Sequence, residues 1–171
     1  MKKFLSIIVG FLILGVTTYI GLAQRYGGVP KVSAGNPCND FHRKACPRSP
    51  DDGFAYNGQS RSGLFAKGQL STVKAVLYKG MDYHFSVCTE DASVVANFIM
   101  KDAKTNEVLY DNATDNNTQE IQITNQNTRT VNLIFSLPGN DGKDAKDKVK
   151  GAEGMCAGLL IEHKRSDKTG F

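Results

Sequence analysis

Apolar residues fall at every second position through much of this chain, and that period restricts the fold to strands with one face on a core. Val131, Leu133, Phe135 and Leu137 form the cleanest stripe. Val73, Ala75 and Leu77 alternate with Thr72, Lys74 and Val76. Beyond the turn signal Lys79-Gly80, Tyr83, Phe85 and Val87 alternate with Asp82, His84, Ser86 and Cys88, so the two runs read as a hairpin. Val94, Ala96, Phe98 and Met100 make the next inward set, and a short strand near Val108 to Tyr110 follows the polar turn Lys104-Thr105-Asn106. Ile121 and Ile123 come next, and Met155, Ala157, Leu159 and Ile161 mark the last strand. Strands at intervals of roughly ten residues, with polar turns and no long helical pattern, predict an all-β fold, an antiparallel jelly-roll-like β-sandwich. A membrane barrel would need more strands and aromatic girdles, although the chain does end in Phe171.

The N-terminus sets the compartment. Lys2 and Lys3 precede an apolar run from Phe4 to Val16, and Gly21-Leu22-Ala23 offers a small-x-small cleavage pattern before Gln24. Residues 1–23 therefore read as a signal peptide; left uncleaved, Phe4 to Leu22 is long enough for a tilted membrane anchor. Residues 24–63 read as a Pro/Gly-rich extended segment with a small cysteine loop, and residues 64–171 as the sandwich domain. A glycine- and lysine-rich excursion, Gly139 to Gly154, separates the last two strands. The expected location is periplasm, cell surface or extracellular space. Loss of Lys2 and Lys3 lowers the formal charge from +4 to about +2, too little to imply a nucleic-acid partner. The basic stretches Lys143 to Lys150 and Lys164 to Lys168 read as solvated loop and tail.

Cys38, Cys46, Cys88 and Cys156 are an even set in an exported chain, so two disulfides are expected. Proximity favours Cys38–Cys46, leaving Cys88–Cys156; the latter requires the strand of Cys88 to neighbour the last strand, because both cysteines point away from the main core. Cys38, His42 and Cys46 as metal ligands is the alternative, though zinc signatures usually have tighter cysteine pairs and a fourth ligand.

Several fragments carry a resemblance. Leu77-Tyr78-Lys79-Gly80-Met81-Asp82-Tyr83-His84-Phe85-Ser86, followed by Glu107-Val108-Leu109-Tyr110-Asp111-Asn112 and a Val/Leu/Phe strand, resembles the layout of pre-peptidase C-terminal-like jelly-roll domains. Tyr56-Asn57-Gly58-Gln59-Ser60, Gly63 to Gln69, Leu160-Ile161-Glu162-His163 and Lys168-Thr169-Gly170-Phe171 are similar to small exported β-sandwich proteins of Bacteroidota. The resemblance spans roughly residues 54 to 171 and implies adhesion, surface or polymer binding, or packing beside another module. It brings no catalytic residues. A domain standing alone departs from the appended arrangement usual in the first group.

Enzymatic chemistry has few candidates. There is no nucleophile elbow, no glycine-rich phosphate loop and no paired-histidine motif. His84, Ser86 and Cys88 share an outer face with Glu162, near His163, so His84, Ser86 and Glu162 form a possible surface site. Tyr26, Phe54, Tyr56, Tyr78 and Tyr110 could form sugar platforms, but packing explains them as well. Asp111 to Asn117 offers hard oxygen ligands for calcium, and turn chemistry accounts for the same composition. Asp141, Asp144 and Asp147 are interleaved with lysines that oppose a cation. No cofactor is expected. The sequence favours an exported, non-enzymatic binding or structural component of the cell envelope or surface, whose partner is an envelope protein or polymer. It would touch a membrane only through an uncleaved N-terminal segment. A secreted hydrolase is the alternative, and a concave pocket holding His84, Ser86 and Glu162 would favour it.

Overall fold

The alternating stripes become strands that are dealt to two layers. The computed structural model describes residues 37–139 and 154–167. The signal segment, the chain before Pro37, most of the lysine-rich excursion and the last four residues, with Tyr26, Asp141, Asp144, Asp147 and Phe171, lie outside the described residues. Among the described residues, no helix is long and apolar enough to cross a membrane.

A short helix α1 (Phe41–Ala45) precedes β1 (Ala55–Tyr56), β2 (Arg61–Phe65), β3 (Leu70–Leu77), β4 (Met81–Thr89) and β5 (Asn97–Asp102). Then come β6 (Val108–Asp111), a 3-10 turn (Asn112–Thr114), β7 (Glu120–Asn125), β8 (Arg129–Ser136) and β9 (Met155–Arg165). One antiparallel sheet has the order β1-β9-β4-β7, with β2 pairing β9 beside β1; the other has the order β3-β8-β5-β6. The chain is an all-β sandwich, and it changes sheet at nearly every connection from β2 onward.

That alternation overturns the expected hairpin. β3 pairs with β8, whereas β4 pairs with β7 and β9. The two apolar stripes look alike because they line one core from opposite layers. Gly80, at φ 73°, makes the crossing, and the Tyr78 N–H donates to the Tyr83 hydroxyl at 2.8 Å. Tyr83 itself is buried, which raises its phenol above the usual value.

The core unites Ala75 and Leu77 of β3, Phe85 and Val87 of β4, Phe98 and Met100 of β5, Val131, Leu133 and Phe135 of β8, and Ala157, Leu159 and Ile161 of β9. Each such large side chain contributes about 1.5–3 kcal/mol by leaving water. The expected neighbouring of β4 and the last strand holds, in the register His84↔Glu162 and Cys88↔Gly158. The sheet begins ahead of the boundary placed at residue 64, since β1 and most of β2 precede it.

β9, like the middle of β4, is buried on both faces. Cys156, Leu160 and Glu162, which point away from the core, are at most 9% exposed. Their cover is the segment from Pro37 to Phe54, a strap across the outer face of β4 and β9. The unbroken apolar run from Met155 to Ile161 is the sequence mark of such a strand.

Candidate functional site

Two regions compete as the site: the covered outer face with the sequence-nominated residues, and an open cleft at the sandwich edge.

Both disulfides belong to the strap, and neither has the expected pairing. Cys38 bonds Cys156 on β9 and Cys46 bonds Cys88 on β4, with Cα–Cα distances of 5.2 and 5.0 Å. The reason is geometric. Helix α1 occupies the chain between Cys38 and Cys46, so they face two neighbouring strands rather than each other. In the β4–β9 register Cys88 stands opposite Gly158, two residues along from Cys156. Gly158 leaves the room in which the helix sits: a Cβ there would come within 2.8 Å of His42 Cα and 3.1 Å of Cys46 Sγ. The metal alternative fails on the same geometry, since both sulfurs are oxidised and among the described residues no group of His, Cys, Asp and Glu could hold a metal ion.

His42 is a buried structural histidine. Its Nδ1 lies 2.9 Å from Ser62 Oγ and its Nε2 lies 3.1 Å from the Tyr56 hydroxyl. Because Ser62 Oγ donates onward to the Cys38 carbonyl at 2.8 Å, it accepts from Nδ1–H, and in the neutral ring Nε2 then accepts from the Tyr56 hydroxyl. Desolvation favours the neutral ring and lowers the His42 pKa below 6.5.

The structure brings His84, Ser86 and Glu162 to one face, as the sequence suggests, but not to the surface: they are 1%, 0% and 2% exposed. The sequence places them on an outer face and is silent on what covers it. Glu162 accepts from Arg48 Nη1 at 2.9 Å and from the Ser49 N–H at 2.8 Å, both on the strap. His84 Nδ1 lies 3.2 Å from Glu162 Oε2, and its Nε2 lies 3.2 Å from Glu120 Oε2. An imidazolium can donate to both carboxylates, a neutral ring to one. The Phe54 ring edge caps His84, and Lys164 sits 4.7 Å above Phe54, so the first residue of the basic tail is a packed one.

This arrangement can lock a strap to a sheet. Nucleophilic catalysis needs a base within hydrogen-bond reach of the hydroxyl. Ser86 Oγ makes no hydrogen bond in the described protein, and both nitrogens of His84 face carboxylates. Neither a concave pocket nor a flat exposed sheet is present there; a lid fixed by two disulfides and an ion pair closes the face.

The Asp111 to Asn117 loop uses its oxygens internally. Asp111 caps the 3-10 turn by accepting from the Ala113 N–H at 3.0 Å, and Asp115 accepts from the Tyr110 hydroxyl at 3.1 Å. Burial first, and Asp115 second, push the Tyr110 phenol up to about 12. Asn112 turns inward, fully buried, donating to the Ala96 carbonyl at 2.9 Å and accepting from the Phe98 N–H at 2.9 Å. It closes the end of β5 much as a strand residue would. The other aromatic candidates also have packing roles: Tyr56 stacks on His42 under Arg43, and Tyr110 packs on Phe98. Tyr78 remains exposed at the sheet crossing.

Among the described residues, the open region lies where the edge strands β2 and β3 face each other across the gap between sheets. A cleft of about 750 Å³ has Phe65, Val73, Phe135 and Leu159 in its apolar floor and Arg61 and Lys74 at its rim. Phe65 meets Phe135 edge to face at 5.0 Å and forms one wall. Gly63 opens the middle, because in the β2–β9 register position 63 pairs with the core residue Ala157 yet carries no side chain. A Cβ there would touch only the Phe65 ring, at 3.5 Å. The sequence reading missed this site; a glycine inside the alternating run Arg61 to Phe65 is the signal that could have marked it.

No protein-family model and no curated protein matches this chain. Among solved structures it is similar to PliG, a periplasmic lysozyme inhibitor of g-type lysozyme from Aeromonas hydrophila. The identity is 11%, the match covers 69% of this chain and 90% of that one, and the TM-score is 0.38.

Proposed function

We propose that this chain is an exported, non-enzymatic binding protein of the cell envelope or surface, and that it holds its partner at the cleft between β2 and β3. The observation that carries this reading is the contrast between the two regions. Among the described residues, the histidine, serine and glutamate that could support hydrolysis are sealed under the strap, whereas an apolar cleft with a cationic rim stands open at the sandwich edge. Such a cleft suits recognition: burial of apolar surface supplies affinity, and a few polar groups supply orientation. Export is supported by two disulfides that join distant parts of the chain, which persist in oxidising compartments, and by the lysine-headed apolar leader.

Co-purification from the native envelope tests the proposal. Wild-type protein is expected to retain a specific component, identified by mass spectrometry, that is lost on Gly63→Val while the melting temperature is unchanged. Val at 63 fills the cleft and suits a strand. Equal retention by the folded variant would place binding elsewhere, and a hydrolytic activity lost on His84→Ala would overturn the non-enzymatic reading.

A further inference from the structure

The cleft has the form of an unfilled strand position. Among the described residues β2 pairs only with β9 and β3 only with β8, so each presents an unpaired backbone edge to the same gap. Both ends of the gap are already closed by groups that imitate a strand. At one end the Gln59 side chain receives the Val76 N–H through Oε1 at 2.7 Å and donates to the Val76 carbonyl through Nε2 at 3.2 Å. At the other, the Ala66 to Gln69 turn closes on itself, and the Gly68 N–H donates to the Leu137 carbonyl at 3.1 Å. Between these closures lie Arg61 to Phe65 on one side and Ser71 to Lys74 on the other. At roughly 3.3 Å per residue, that opening accommodates an extended segment of about five residues.

Edge strands left bare invite strand addition, a mode in which main-chain hydrogen bonds give affinity and pockets for alternate side chains give specificity. The pocket here is the space over Gly63, floored by Val73 and Leu159, which fits one aliphatic side chain. The rim sets the sign of its neighbours. Among the described residues, Arg61 and Lys74 are the charged lining residues and both are cationic; Arg61 is fixed at the rim because its Nη1 donates to the carbonyls of Gly58 and Ser60 at 2.8 and 2.7 Å.

We propose that the partner is a protein, recognised through an extended segment that adds as a strand along the β2–β3 opening, with an aliphatic side chain over Gly63 and acidic side chains toward Arg61 and Lys74. This rests on the binding reading above and names the ligand class of the same cleft.

The probes are two acetylated, amidated hexapeptides, one alternating valine with aspartate and one alternating valine with lysine, together with the aspartate peptide N-methylated at alternate residues. Binding to the oxidised full-length protein is read by amide chemical-shift changes and by titration. The aspartate peptide is expected to bind in the millimolar range or tighter, to shift the amides of Arg61–Phe65 and Ser71–Lys74, and to weaken as salt is raised. The lysine and N-methylated peptides should bind at least tenfold more weakly, and Lys74→Glu should weaken the aspartate peptide several-fold while leaving the melting temperature unchanged. Equal binding of the N-methylated peptide would overturn strand addition, and equal binding of the lysine peptide would overturn acidic recognition. A glycan fragment that shifts the same amides while no peptide does would overturn the protein class of partner. If no peptide binds but the envelope component is still lost on Gly63→Val, strand addition fails and the binding reading stands. If that component is retained by Gly63→Val, the binding reading fails first.

Discussion

His84 and Glu162 stand directly opposite each other on β4 and β9, with Nδ1 and Oε2 3.2 Å apart, on the face of the sheet that points away from the core and yet is closed to water. The closure comes from the strap, whose Arg48 and Ser49 donate one hydrogen bond to each carboxylate oxygen of Glu162. A pair that looks catalytic in one dimension is, in three, the anchor of a cover.

Truncating this pair should therefore destabilise the protein, contrary to what an exposed histidine would do. His84→Ala leaves Glu162 buried with one partner fewer, and Glu162→Ala strips His84, Arg48 and Ser49 together. Losses of about 1–3 kcal/mol are expected for each buried polar group left without its partner. Arg48→Ala, at a half-exposed side chain, should cost about 1 kcal/mol. Chemical denaturation measures all three, and a neutral His84→Ala would show that the strap does not depend on the pair.

Peptide mapping without reduction should recover Cys38 linked to Cys156 and Cys46 linked to Cys88. Replacing Cys46 and Cys88 together by Ser should cost about 2–4 kcal/mol, because the bridge restrains a long loop of the unfolded chain. Recovery of a Cys38–Cys46 fragment would contradict the seating of α1 across β4 and β9.

Gly158→Ala is expected to be costly for so small a change. The added Cβ meets the backbone of α1, which two disulfides hold in place, so neither side can yield freely. A loss of about 1–3 kcal/mol, typical of overpacking, should appear in denaturant titration, and a stabilised variant would refute the close approach.

Acid should weaken the strap through His42. Its folded pKa lies below 6.5, so the unfolded chain binds the proton more readily. The stability that neutral His42 contributes is present above pH 6.5 and is lost as the pH falls through the folded value. His42→Gln should flatten the slope of stability against pH in that window; an unchanged slope would assign the dependence to another group.

Asn112→Ala tests the inward turn of the Asp111 loop. It orphans the Phe98 N–H, at about 1–3 kcal/mol, and leaves the Ala96 carbonyl with Gln119 Nε2 as its remaining side-chain donor. Asp111→Ala, at a turn cap, should cost about 1 kcal/mol. A larger loss for Asp111→Ala than for Asn112→Ala would return attention to the loop's oxygens as ligands.

What the sequence determines by itself is local and periodic. Alternation at Val131 to Leu137, Tyr83 to Val87 and Met155 to Ile161 fixes strands and the face each one buries, since side chains in an extended chain must alternate. From the same period comes the all-β sandwich; the neighbouring of β4 and β9 is inferred from a Cys88–Cys156 bridge, and the strands do pair although that bridge does not form. Period alone says nothing about which layer a strand joins, because two stripes can meet side by side or across a core with equal patterns; β3 and β4 took the second course. Nor does it say what covers an outer face. The pairing of Cys38 with Cys156, the burial of His84 and Glu162, and the slot at Gly63 all depend on where residues 37–54 and the edges of β2 and β3 come to rest. Those positions follow from contacts between residues dozens of positions apart, such as His42 on Gly158 and Arg48 on Glu162. Only the folded chain brings such contacts together.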